Sequence, residues 1–255
     1  MEPMTLAHDD LGPRRGHPVL LIHSTVCDRR MWDPLVEPLL AAGLRVLRCD
    51  QRGYGDSPVP TESWNDADDV VALLDHAGVE RVSLVGASGG GEVAVELAAT
   101  SPERISSLLL LCSALADHVP SDVLRAFGAR EDELLDSGDL DGATALNVET
   151  WLGPEADADV RRLVALMQRH VFEVQTDPSV VRVRPRTREV RLADVSAPTL
   201  AISGEHDLPD FRTMAERVGA EVPGARHVHL DWAGHLPSLE RPAEVAGLVV
   251  EHARP

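Results

Sequence analysis

Lysine does not occur in this chain: all 24 basic residues are arginine, set against 42 acidic ones. No Schiff-base lysine, pyridoxal-phosphate anchor or phosphate-gripping Walker lysine can therefore form. Basic charge of any kind is scarce, and the formal net charge is −18. Nucleic acid and anionic membranes need a basic face, so neither is expected as a partner. Long apolar runs are missing too. No stretch approaches the roughly eighteen residues that span a bilayer. The opening Met1-Glu2-Pro3-Met4-Thr5 lacks the charged-then-apolar order of a secretion signal. Cysteine is limited to Cys27, Cys49 and Cys112, an odd number, each in or beside an apolar segment. They read as buried free thiols in a reducing cytoplasm. Aromatic residues make up only 3% of the chain, so any cluster of them is informative.

What is present is an ordinary globular composition, 44% hydrophobic and 26% charged over 255 residues. That length suits one α/β domain with an elaboration. Apolar runs alternate with helical patterns, which predicts a mainly parallel, doubly wound sheet covered on both faces. The strand candidates are Val19–Ile22, Arg45–Arg48, Val82–Val85, Ser107–Cys112, Thr199–Ser203 and His227–Leu230. Thr5–Asp9 can supply one antiparallel edge strand, and no second strand fits before it. Helical patterns cover Met31–Ala42, Trp64–His76, Glu92–Thr100, Asp210–Val218 and Pro242–His252. The rhythm breaks between Asp117 and Arg191. There Asp122–Phe127, Glu131–Asp136, Asp141–Trp151 and Ala158–Val174 read as short helices with no buried strand. Residues 117–190 are therefore expected to form a helical lid between two strands, with 1–116 and 191–255 as the core.

Val82-Ser83-Leu84-Val85 runs straight into Gly86-Ala87-Ser88-Gly89-Gly90, and an amphipathic run follows. A strand, a tight turn and a helix around GxSxG lift a serine Oγ to the positive end of that helix. A hydroxyl is a weak nucleophile at neutral pH and needs a base, and the base needs an acid. The strand Thr199–Ser203 ends in Gly204-Glu205-His206-Asp207, and His227–Leu230 ends in Asp231-Trp232-Ala233-Gly234-His235. Ser88, Asp207 and His235 thus fall in loops at the carboxyl ends of strands, where ligands bind in open α/β sheets. Glu205 and Asp210 are the alternatives to Asp207 as the acid.

With these residues the chain resembles the α/β-hydrolase superfamily over nearly its whole length. Leu20-Leu21-Ile22-His23, Asp50-Gln51-Arg52-Gly53-Tyr54-Gly55-Asp56-Ser57 and Pro198-Thr199-Leu200 agree with it as well. His23-Ser24 followed by Met31-Trp32-Asp33-Pro34 is similar to enol-lactonase-like members. The resemblance implies an α/β-hydrolase fold with Ser88 as nucleophile, His235 as base and then acid, and Asp207 as its orienting partner. It implies an oxyanion hole made by the backbone N–H groups of Gly89 and Thr25. It further implies a serine esterase or lactonase acting on a small molecule without cofactor or metal. C–C bond hydrolysis and perhydrolysis use the same triad, and some members of the fold only bind ligands. These alternatives stay open at this level.

Pocket walls are expected from His23, Trp32 and the lid aromatics Phe127, Trp151 and Phe172. A glycine at position 89, where relatives commonly carry a bulky residue, suggests a roomier floor beside Ser88. Arg182, Arg184, Arg186, Arg188 and Arg191 nearly alternate. They read either as surface pairs or as an anion-attracting rim. His227-x-His229-x-Asp231 reads as a strand face rather than a metal site, since Trp232 follows where a further histidine ligand would fall. The glycine turn after Val85 lacks the downstream acid of a dinucleotide site.

Overall fold

Fully buried strands lie at the centre. β2 (Pro18–Ile22), β4 (Val82–Ala87), β5 (Ile105–Leu111) and β6 (Thr199–Gly204) are near-continuous runs of Val, Leu and Ile. Such runs suit strands covered on both faces. The computed structural model, which describes residues 6–181 and 183–253, joins them with β1 (His8–Leu11), β3 (Arg45–Cys49) and β7 (Arg226–Leu230). The seven strands are ordered β1-β3-β2-β4-β5-β6-β7. Every pairing is parallel except β1 with β3. The antiparallel edge strand thus exists, shifted later than Thr5–Asp9; Thr5 itself lies outside the described residues.

The first helices that cover the sheet are α1 (Asp33–Ala41), α2 (Asp66–His76) and α3 (Gly89–Thr100), of which α1 and α2 start where the chain supplies a proline or a cap. Asn65 caps α2 by accepting the Asp68 N–H, and Pro34 sits in the first turn of α1. Between β5 and β6 come α4 (Asp122–Asp136), α5 (Leu140–Trp151) and α6 (Ala158–Thr176). Ser121, Asp139 and Asp157 cap them in turn. The two short helices expected over 122–136 are one continuous helix. Gly128 in its middle weakens propensity there but does not break the ladder. After β6 follow α7 (Pro209–Glu221), α8 (Pro237–Glu240) and α9 (Pro242–His252).

Because β2 and β4 to β7 run in one direction, their carboxyl ends share one edge of the sheet. The loops after β2, β4, β6 and β7 meet there, and α4 to α6 lie between the neighbouring strands β5 and β6.

Candidate active site

Ser88 closes β4 and opens α3 with φ 52° and ψ −121°, a left-handed backbone that a side chain seldom adopts. The surroundings hold it there. Its N–H donates to Leu111 O at 3.0 Å, and its carbonyl accepts from Gly91 at 2.9 Å and Ala114 at 2.9 Å. The turn admits no side chain on either flank. A Cβ on Gly86 would lie 2.5 Å from Gly90 O, and one on Gly90 would collide with His23 O. Ser88 is 6% exposed.

The carboxyl ends of β6 and β7 bring the two other expected residues together. Asp207 Oδ2 and His235 Nδ1 are 2.8 Å apart, and both residues are buried. Asp207 Oδ1 accepts the Leu208 N–H at 2.7 Å. Both carboxylate oxygens are thereby engaged. The imidazole, with Nδ1–H given to Asp207, keeps Nε2 as its basic nitrogen. The other two acids are used elsewhere. Asp210 accepts from Ser121 Oγ at 2.5 Å and pairs with His118 at 2.8 Å. Glu205 pairs with Arg212 at 3.1 Å and His229 at 3.0 Å.

The loop after β2 faces the serine turn. A Cβ on Gly89 would stand 2.5 Å from Thr25 Cγ2. The expected roomier floor is therefore not there: the exposed Thr25 fills it, and glycine is what permits the approach. Gly89 also occupies the first position of α3, whose N–H groups have no intrahelical acceptor. The Thr25 loop is tied from behind. Met31 Sδ accepts the Ser24 N–H at 3.3 Å. His23 Nδ1–H donates to Ser24 O at 2.8 Å, while Nε2 accepts the Gln51 N–H at 3.0 Å. One tautomer satisfies both bonds, and burial lowers the His23 pKa.

His23 is thus a neutral buried strut, not a pocket wall. Trp32 is also fully buried, in the core under the same loop. Phe172 packs with Leu134 and Ala143 inside the inserted helices and is not brought to the site. Trp151 and Phe127 do reach it. The Trp151 ring lies 4.6 Å from the His235 ring, and Phe127 lies 4.8 Å from Trp151. Phe211 was not among the expected residues, yet its ring is 4.2 Å from His235. Its only sequence signal is an aromatic side chain in the first turn of α7, four positions after Asp207 in a chain poor in aromatics.

A cavity of about 720 Å³ includes Thr25, Gly89, Tyr54, Trp64, Asp66 and Glu92 in its wall. Arg184 also lines it, and Arg182 lies outside the described residues. Arg188 pairs with Asp68 at 2.7 Å and Glu96 at 3.1 Å, and Arg191 with Asp194 at 2.5 Å. A larger cavity, about 1090 Å³, shares Glu92 with the first, and the lining of neither includes Ser88, Asp207 or His235; the smaller one adjoins Ser88 through Gly89.

Cys112 Sγ lies with Asp207 and His235 in a cluster whose ligand atoms are within 4.8 Å of one another. Burial pushes the Cys112 thiol well above its ordinary range, whereas metal ligation requires thiolate. The other two donors are spent on each other. His227 and His229 share Ser203 Oγ at 2.8 and 3.0 Å, as residues of one strand face. No helix among the described residues is long and apolar enough to cross a membrane.

Comparison with known proteins agrees with this fold. A model of the alpha/beta hydrolase family matches residues 19–248. A protein named "Putative carbamate hydrolase RutD" from Variovorax paradoxus is 30% identical over 250 residues, covering 94% of this chain and 92% of its own. A hydrolase from Pseudomonas aeruginosa superposes with a TM-score of 0.78 at 27% identity, covering 97% of this chain and 94% of that one. The enol-lactonase from Burkholderia xenovorans superposes with a TM-score of 0.75 at 25% identity, covering 97% and 95%.

Proposed function

The chain belongs to the alpha/beta hydrolase family, and from that premise we propose that it is a serine hydrolase cleaving a small carboxylic ester or lactone through an acyl-enzyme on Ser88. One observation carries the reading. A 2.8 Å bond joins His235 Nδ1 to Asp207 Oδ2 in the loops after β6 and β7, and Ser88, after β4 on the same edge of the sheet, is held at φ 52° on a strand-to-helix turn. His235 Nε2 takes the Ser88 proton as Oγ attacks the carbonyl carbon. The tetrahedral oxyanion is held by the N–H groups of Gly89 and Thr25, each worth about 3–4 kcal/mol. The imidazolium, steadied by Asp207, gives its proton to the leaving alkoxide. Water, deprotonated by the same nitrogen, then releases the acid. Trp151 and Phe211 on the imidazole keep the base in a dry setting where these charges interact strongly.

Several features support the substrate class. The enol-lactonase and RutD similarities concern acyl groups on oxygen or nitrogen, and no step in the scheme calls for a cofactor. Residues 117–190 are read as the lid, because α4 to α6 lie between β5 and β6 and put Trp151 on His235. The three buried, unpaired cysteines fit a cytoplasmic setting.

A fluorophosphonate probe and p-nitrophenyl acetate test the proposal together. The protein is expected to take one equivalent of label and to turn over the ester. Ser88→Ala should keep the fold, lose the label, and lose turnover by a factor of about 10⁴ or more. Full activity in Ser88→Ala would sink the mechanism. Label without ester or lactone turnover would move the chemistry to another acyl or C–C substrate.

A further inference from the structure

A lid that opened as one piece would leave the catalytic base untouched, and this insertion does not. The last turn of α5 is built into the loop that carries His235. The His235 N–H donates to Trp151 O at 2.9 Å, supplying a partner for a carbonyl at the helix end. The indole of the same tryptophan lies against the imidazole, and Asn147 holds that indole through a 2.8 Å bond from Nε1.

A carboxylate from α8 lies between the two segments. Glu240 accepts the Gly234 N–H at 3.0 Å on Oε1 and 3.2 Å on Oε2. The Gly153 N–H, in the chain just past α5, also faces this carboxylate and favours its charged form. The approach is close enough to require glycine on both sides. A Cβ on Gly153 would stand 2.5 Å from Glu240 Oε2 and 2.6 Å from Gly234 N. The next residue repeats the tie further out, where Arg241 pairs with Glu155 at 3.0 Å. The Gly234 carbonyl is held as well, by the Cys112 thiol at 3.6 Å. The peptide immediately before His235 is thus fixed at both its donor and its acceptor, and Glu240 supplies the charged contact.

We propose that Glu240 is a positioning residue whose carboxylate fastens residues 151–153 of the insertion to the His235 loop and so sets where the imidazole stands relative to Ser88. This rests on the reading of Ser88 and His235 given above. It also divides the insertion. The end of α5 is a fixed wall of the site, and any opening for substrate is left to α4, α6 and the segment after them.

Glu240→Gln tests this directly. An amide has one acceptor oxygen, and its NH₂ would meet one of the two glycine N–H groups as donor against donor. Amide hydrogen exchange at Gly153 and Gly234 should quicken by about tenfold or more relative to the parent protein. Turnover of p-nitrophenyl acetate, expressed per site titrated with fluorophosphonate, should fall about ten- to hundredfold in kcat while KM moves less than about threefold. A residue that only supported folding would lower the number of titratable sites and leave kcat per site alone. Gly153→Ala approaches the same contact from the insertion and should reproduce the kcat loss. It carries the test if Glu240→Gln does not fold. Parent-level kcat per site, or unchanged exchange at both glycines, overturns the proposal. If the parent protein neither labels nor turns over ester, the Ser88 reading fails, and the exchange comparison still decides whether Glu240 makes the clamp.

Discussion

At the scale of single residues, the contact between Gly89 and Thr25 is the clearest case of two positions that make sense only together. Glycine beside the nucleophile reads from sequence as extra room. In the structure the room is occupied by a threonine methyl that a Cβ would meet at 2.5 Å. Gly89→Ala should therefore push the Thr25 loop away from the serine turn and cut kcat/KM by about ten- to hundredfold, since it displaces an expected oxyanion donor. Adding Thr25→Ser, which removes Cγ2 and keeps the backbone N–H, should restore most of that loss. Steady-state kinetics on the single and double variants check this, and additive losses would refute it. The serine itself was legible because chemistry leaves few ways to build its turn. Phe211 was not, because an aromatic residue on a helix is ordinarily packing, and only its 4.2 Å approach to His235 makes it part of the site.

At the scale of elements, position along the sheet proved easier to read than contact between helices. The buried strands were plain in sequence because a strand covered on both faces must be apolar throughout. The inserted helices were visible as helices, but which aromatic side chains they deliver was not. Phe172 turns into its own three-residue cluster, while Trp151, at the end of α5, meets the base. The extended segment after α6 shows the same division among its arginines. It runs across the start of α2, with the Arg186 N–H on Trp64 O at 2.6 Å and Arg188 paired to Asp68 and Glu96. Arg184 instead lines the cavity next to Thr25 and Gly89. The rim of anion-attracting arginines thus narrows to Arg184 among the described members. Arg184→Ala should lower the ratio of acidic to neutral ester turnover several-fold at low salt, and Arg188→Ala should leave that ratio unchanged. An equal response in both variants would remove substrate steering from this segment.

At the scale of the whole molecule, the acidic surplus has a consequence inside the cavity. Asp66 and Glu92 both line it, and burial raises both carboxyls, Asp66 to about 6 despite its bond from Trp64 Nε1. A carboxyl whose pKa is higher folded than unfolded favours the folded state below its unfolded pKa. That contribution is lost as pH rises through about 6. Asp10 has the opposite sign. Its hydrogen bond from Arg45 holds it low, so its contribution is present at neutral pH and lost in acid. Asp66→Asn should therefore match the parent in stability near pH 4 and exceed it near pH 8 by about 1–2 kcal/mol. Denaturant midpoints at the two pH values check the sign. A variant less stable than the parent at pH 8 would show that the α2 terminus needs the charge more than burial penalises it.

The sequence by itself determined the strands, the order of their chemistry-bearing loops and the candidate serine and histidine. Those follow from local rules: apolar runs for buried strands, glycines for a turn without room for side chains, polar residues where strands end. Only the tertiary structure decided which residues touch. It chose Asp207 over Glu205 and Asp210 as the partner of His235, through a 2.8 Å bond across two strand ends. It set His23 and Trp32 behind the site rather than in it, gave Thr25 the space beside Ser88, and tied the insertion to the base through Glu240. Such contacts join segments far apart in the chain, and no local pattern encodes the direction in which a packed side chain finally points.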